Sequence, residues 1–198
     1  MDTSSRIDAS PGTDRGIRSP RDIGRVVAVV IAAWVAVIVM GGLEPIGRHF
    51  LILGVLRLTL FAALLGLAWV APRSQLGRLG LVAAAVGAGA NLVGGVGSVV
   101  TDGWTHDPFG PEAAASPPWY AYVIGLSAFI FAVGSILTGI AARSAGWLGI
   151  AALLGGVLYP MTFVMQGLYG HDPGDLLGHL VWIAPWLALA LGLARFRR

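Results

Sequence analysis

Residues 50–71 read FLILGVLRLTLFAALLGLAWVA, twenty-two positions with a single charge, Arg57. About 20 apolar residues of helix cross a hydrocarbon core. A membrane strand would alternate in polarity and end after about ten residues; this run does neither, and it predicts a transmembrane helix. Five further runs of similar length lie outward from it, at 26–43, 79–100, 120–142, 146–168 and 176–194, and none carries a formal charge. The expected architecture is an all-α integral membrane protein, a six-transmembrane-helix bundle spanning residues 25–198. A polar tail, residues 1–24, precedes it and is expected to be largely disordered as far as Ser19. Ser19-Pro20-Arg21-Asp22 then reads as a helix start, with Ser as N-cap, Pro at the first helical position and Asp at the third.

The composition agrees. Of 198 residues 56% are hydrophobic and 12% charged, against about 45–50% and 25% in a soluble domain. Mean hydropathy is +0.78. These values exclude a water-soluble globular enzyme and a disulfide-rich secreted domain. With no cysteine, thiolate metal sites, cysteine nucleophiles and redox CxxC chemistry are excluded too. All 13 basic residues are arginine, so no lysine Schiff base can form.

The arginines orient the bundle. With both termini cytoplasmic, eleven of the 13 fall in cytoplasmic segments, Arg48 falls outside and Arg57 within a span. Six of the ten acids (Glu44, Asp102, Asp107, Glu112, Asp172 and Asp175) fall on the outer side. The inner side then sums to +7 and the outer to −5. This is the positive-inside pattern of a multi-pass cell (plasma) membrane protein, and it explains the pI near 10.0 without nucleic acid. The expected surroundings are the lipid bilayer, with other membrane proteins or further copies of the chain as partners.

Two hairpins resemble each other. Arg73-Ser74 and Arg143-Ser144 precede similar Leu-Gly pairs, and His106-Asp107-Pro108 matches His171-Asp172-Pro173. A duplication of spans 2–3 as spans 4–5, same way up, would produce this; chance likeness between apolar helices would as well.

Within the spans, polar residues are few. Arg57 is the one ionisable group well inside a span, and intramembrane charges mark functional sites by default. It can snorkel outward, pair with Glu44, Asp102 or Asp107, or hold an anionic ligand. Ala83, Gly87, Asn91 and Gly95, four apart, suggest a close-packing face whose Asn hydrogen-bonds across. Tyr159-Pro160 predicts a kink near the middle of the fifth span, with Thr162 and Gln166 beside it. Arg57, Asn91, Tyr159 and Gln166 are the residues expected to line a ligand site or pore.

All four histidines fall near the outer face. His49, His106, His171, Asp175 and His179 form the one set that could ligate a metal ion or haem. Asp175 and His179 share a helix face. Two readings compete with it: a structural one, in which Asp172 with Pro173 starts a helix and interfacial histidines are merely solvated, and a proton-sensitive role, since histidine titrates near neutral pH. The aromatic loop 101–119 suits the lipid boundary, as a cap over an outer-facing cavity or as plain interface. No catalytic motif has a suitable context, and the reading leans away from an enzyme. Three functions follow as expectations: a transporter, channel or sensor subunit handling a small solute or ion in an outer-facing polar cavity; a metal- or haem-binding redox protein using the outer histidines; and a non-catalytic scaffold or assembly partner.

Overall fold

The structure is a computed structural model and describes residues 19–41, 46–71, 73–102, 118–169 and 171–196. Side chains at 38, 40–49, 102, 163, 166, 167, 169 and 171–176 fall outside the described set. The described residues are helical, with no strand among them. In chain order the helices are α1 (Pro20–Gly41), α2 (Ile46–Val70), α3 (Gln75–Asp102), α4 (Trp119–Ala141), α5 (Trp147–Val157), α6 (Met161–Tyr169) and α7 (His171–Arg195).

Local sequence sets these boundaries. Ser19 starts α1 as expected: its hydroxyl accepts the Asp22 N–H at 3.3 Å and donates to the Asp22 carboxylate at 2.7 Å. Ser74 does the same for α3 by accepting the Gly77 N–H. Between α4 and α5 a short 3-10 turn, Arg143–Ala145, leads into Gly146 at φ 64°. That left-handed value favours glycine.

Among the described residues four stretches are long and apolar enough to cross a membrane: Phe50–Val70, Gln75–Thr101, Trp119–Ala141 and Leu177–Arg195. The chain is therefore a membrane-embedded helical protein. Of the other two expected spans, the first falls in α1, whose side chains at 38, 40 and 41 lie outside the described set. The fifth run is two helices, α5 and α6, separated by a turn at residues 158–160. Pro160 supplies no N–H for a continuing ladder, so the expected kink is a full break.

α1 packs on α2 and α7, α3 on α2 and α4, α5 on α4 and α7, and α6 on α7; α2 also reaches α4, α5 and α7. The helices thus form a closed ring, α1 joining α7, with α2 pressed inward. Leu56, Leu60, Leu64 and Leu67 of α2 and Trp182, Trp186, Leu189 and Leu193 of α7 fill the centre. Valines at 82, 86, 93, 96 and 100 cover the outside of α3, as suits a lipid-facing surface.

Lipid tails are as apolar as leucine, so helices associate through close packing and small residues rather than through exclusion of water. The tightest seam joins α3 to α4. A Cβ on Gly87 would lie 2.5 Å from the Phe131 nitrogen, and one on Gly134 would strike the Ala84 backbone. Gly80, Ala84, Gly87, Asn91 and Gly94 face α4, whereas Gly95 faces Phe50 and Leu51 of α2. This corrects the expected face of Ala83, Gly87, Asn91 and Gly95. Steps of four residues drift about 40° each on a 3.6-residue helix, while alternating steps of four and three stay on one side.

The topology also collects charge. Gly24 lies against Ala190 and Ala194, Gly66 against Leu193 and Ile23, Gly192 against Trp147, and Gly77 beside Ala141. One end of the bundle therefore holds Arg21, Arg25, Arg73, Arg78, Arg143 and Arg195. Arg57 is the exception among the arginines whose side chains are described.

Candidate functional site

Arg57 lies eleven residues past Ile46 in the 25-residue α2, about 16 Å along the helix at 1.5 Å per residue. It is 2% exposed. Its guanidinium ends inside the bundle: Nη2 donates to the Tyr159 hydroxyl at 3.1 Å, and Cζ lies 5.3 Å from the centre of the Tyr159 ring. The outward, snorkelling course is not the one taken. Nε and Nη1 are buried and have no hydrogen-bond partner among the described residues.

Tyr159 owes its position to the break before α6. Its N–H donates to the Gly156 carbonyl at 3.3 Å, and its carbonyl accepts from the Thr162 N–H at 3.2 Å and the Thr162 hydroxyl at 2.9 Å. The ring meets Phe129 edge-on at 6.0 Å and Trp182 at 5.6 Å. Trp182 is fixed in turn, its indole N–H donating to the Gly155 carbonyl at 2.9 Å. Gly155 also leaves room for Trp186, since a Cβ there would lie 2.6 Å from the Trp186 ring. One turn before Trp182, His179 packs between Trp34 at 5.7 Å and Trp182 at 6.3 Å. A continuous basic and aromatic layer thus crosses the bundle from Trp34 through His179, Trp182 and Tyr159 to Arg57.

The magnitudes show what this layer leaves unbalanced. An arginine at the centre of a span costs about 2.5–3.5 kcal/mol on the lowest scales. One hydrogen bond to a charged group contributes about 1.5–3 kcal/mol, and a desolvated cation–π contact about 2. Those terms offset the burial of one face of the guanidinium. They leave Nε and Nη1 desolvated, at about 1–3 kcal/mol each. A guanidinium does not deprotonate in proteins, so the positive charge persists. Among described side chains the one carboxylate, Asp22, bonds Ser19 at the start of α1. The expected partners Glu44, Asp102 and Asp107 lie outside the described side chains.

The other expected site residues are placed as follows. Asn91 is fully buried in the α3–α4 seam, donating to the Ile124 carbonyl at 3.2 Å and the Ser127 hydroxyl at 3.1 Å, while its Oδ1 has no partner. Gly54 opposes Leu92 and Gly95 opposes Leu51; this antiparallel register puts residue 89 opposite Arg57 and Asn91 two positions away. The side chain of Gln166 lies outside the described set, as do those of His49, His171 and Asp175 and all of His106. His179 is the one member of the histidine set whose surroundings are seen, and they are aromatic. Among the described residues no group of three or more His, Asp or Glu comes together. A cavity of about 50 Å³ lies at the arginine-rich end, lined by Ala68, Arg73, Ser74, Arg78, Thr138 and Ala142 among others; the sequence points instead to the opposite end.

Trp34 is not among the residues the sequence places at the site, whereas Trp182 and Trp186 are read there either as one wall of the cavity or as lipid-facing. The usable signal was spacing: His179, Trp182 and Trp186 recur at three and four residues and share one face.

No protein-family model matches the chain, and no curated protein or solved structure matches it either.

Proposed function

We propose that this chain is a small multi-pass membrane protein that handles a small solute or ion, as a transporter, channel or sensor subunit, at a site built on Arg57 and Tyr159. One observation carries the reading: a wholly buried guanidinium held by a single tyrosine hydroxyl, with two nitrogens unsatisfied. A purely structural arginine would be expected to have its donors filled by carbonyls or carboxylates. Asn91, whose Oδ1 is also unsatisfied, and Gln166 are proposed to line the same site. The six-span count takes α1 and the broken α5–α6 pair as crossings. Both termini are then cytoplasmic in a plasma membrane, and α2–α3 corresponds to α4–α5/α6 in the duplication. The collection of six described arginines at one end supports that orientation.

The test is a solute screen on the detergent-purified protein, read as thermal stabilisation, with cations, anions and neutral solutes. The proposal expects at least one solute class to raise the melting temperature, and Arg57→Leu to insert normally and lose that response. Stabilisation by none, or the same stabilisation in Arg57→Leu, would overturn it.

A further inference from the structure

Resting on that reading of the site, we infer that the ligand is an oxyanion gripped by two oxygens, a carboxylate or phosphate group rather than a halide, a cation or a neutral solute. The inference follows from which guanidinium hydrogens are engaged. Arginine presents five N–H bonds in one plane, arranged as two forks. The side fork pairs Nε with one hydrogen of Nη2, and the end fork pairs Nη1 with the other hydrogen of Nη2. Tyr159 engages Nη2 alone, at 3.1 Å, and so uses one of its two hydrogens. Nε and Nη1 are both unengaged. Whichever Nη2 hydrogen Tyr159 takes, the fork that uses the other one is complete. A complete fork matches the two oxygens of a carboxylate or phosphate in parallel hydrogen bonds, roughly twice as strong as neutral ones.

The surroundings favour the same class. The positive charge excludes cations, and the donors exclude solutes that only donate. Phe129 and Trp182 pack edge to face on the Tyr159 ring that lies against the guanidinium, an apolar backing that strengthens a charge pair by lowering the local dielectric. Tyr159 sits at the break in the α5–α6 helix, its carbonyl tied by Thr162 rather than by a continuous ladder.

The oxyanion can be a free solute or a lipid headgroup, and the test has an arm for each. Protein in neutral maltoside micelles is titrated with sodium acetate, sodium phosphate, sodium chloride and choline chloride at matched ionic strength, and separately with phosphatidylglycerol. Acetate or phosphate is expected to raise the melting temperature saturably, at concentrations where chloride and choline do not. A response to phosphatidylglycerol alone assigns the same two-oxygen grip to a headgroup and sustains the inference. Arg57→Lys keeps the charge and abolishes the fork, and is expected to weaken the response at least tenfold. A saturable response to choline or to a neutral solute that disappears in Arg57→Leu would overturn the oxyanion class while leaving the site in place. A halide response equal to that of acetate, or an Arg57→Lys protein that binds as wild type, would overturn the fork. Silence toward every probe in wild type would overturn the site itself.

Discussion

The Tyr159 hydroxyl accepts a hydrogen bond from Arg57 at 3.1 Å, joining α2 to the break between α5 and α6 across 102 positions of sequence. The bond ties the one charged side chain described in the apolar centre to the turn at residues 158–160. Everything proposed about function depends on that pair, and much of the packing around it can be tested independently.

Removing the hydroxyl alone is the mildest probe of the pair. Tyr159→Phe keeps the ring contacts with Phe129 and Trp182 and deprives Arg57 of its bond. The expected loss is about 1–2 kcal/mol, the range for a hydrogen bond to a charged donor within a bilayer. Denaturant titration of the helix signal in mixed micelles measures it. A variant as stable as wild type would mean the bond contributes nothing.

Glycine positions separate packing from function. Gly134→Ala forces a methyl group into the Ala84 backbone and should destabilise by about 1–3 kcal/mol, the usual cost of overpacking. Gly89→Ala and Gly125→Ala place the same methyl where nothing lies within 4 Å. These should be neutral or slightly stabilising, since alanine is the better helix former. Thermal melts of the three variants side by side check the sign at each position.

Asn91→Ala removes two hydrogen bonds to α4 and also an unsatisfied oxygen. Intramembrane hydrogen bonds average about 0.6 kcal/mol, so the expected loss is close to 1 kcal/mol. The solute response should weaken rather than vanish, because Arg57 and Tyr159 are untouched. Complete loss of the response at unchanged stability would make Asn91 a primary ligand.

Much of this molecule was legible from its residues, and the limits have physical causes. The apolar runs announced the helices because a bilayer demands internally satisfied backbone. Ser19 and Asp22 announce their cap, and Pro160 a kink that the structure extends to a break. Arg57 stood out as the lone charge in a span. Tyr159 is legible as a residue of the same site, but its direct bond to Arg57 is not, because a contact between α2 and the α5–α6 turn depends on how the ring closes, which no local pattern encodes. The same holds for His179, flanked by Trp34 from the first helix. The α3 seam was misjudged by one register because spacing by four looks regular in sequence and drifts on a helix. Of the outer histidine set, only His179 falls among the described side chains.

Topology can be settled with the chain's own lack of cysteine, which makes any introduced thiol unique. Cysteines at Arg73, Arg143 and Arg195 should be shielded in intact cells from an impermeant maleimide, and cysteines at Asp107 and Asp172 should react. Labelling of Arg73→Cys and Asp107→Cys from the same side would break the six-span count.

The most direct measurement follows the Nε–H of Arg57 by nitrogen-15 NMR of arginine-labelled protein, its resonance assigned by its loss in Arg57→Leu. The account predicts that this signal moves saturably when acetate or phosphate is added, with a midpoint matching the thermal stabilisation, and far more than the signals of the arginines at the bundle end. An Arg57 signal that stays fixed while those other arginines respond would contradict it.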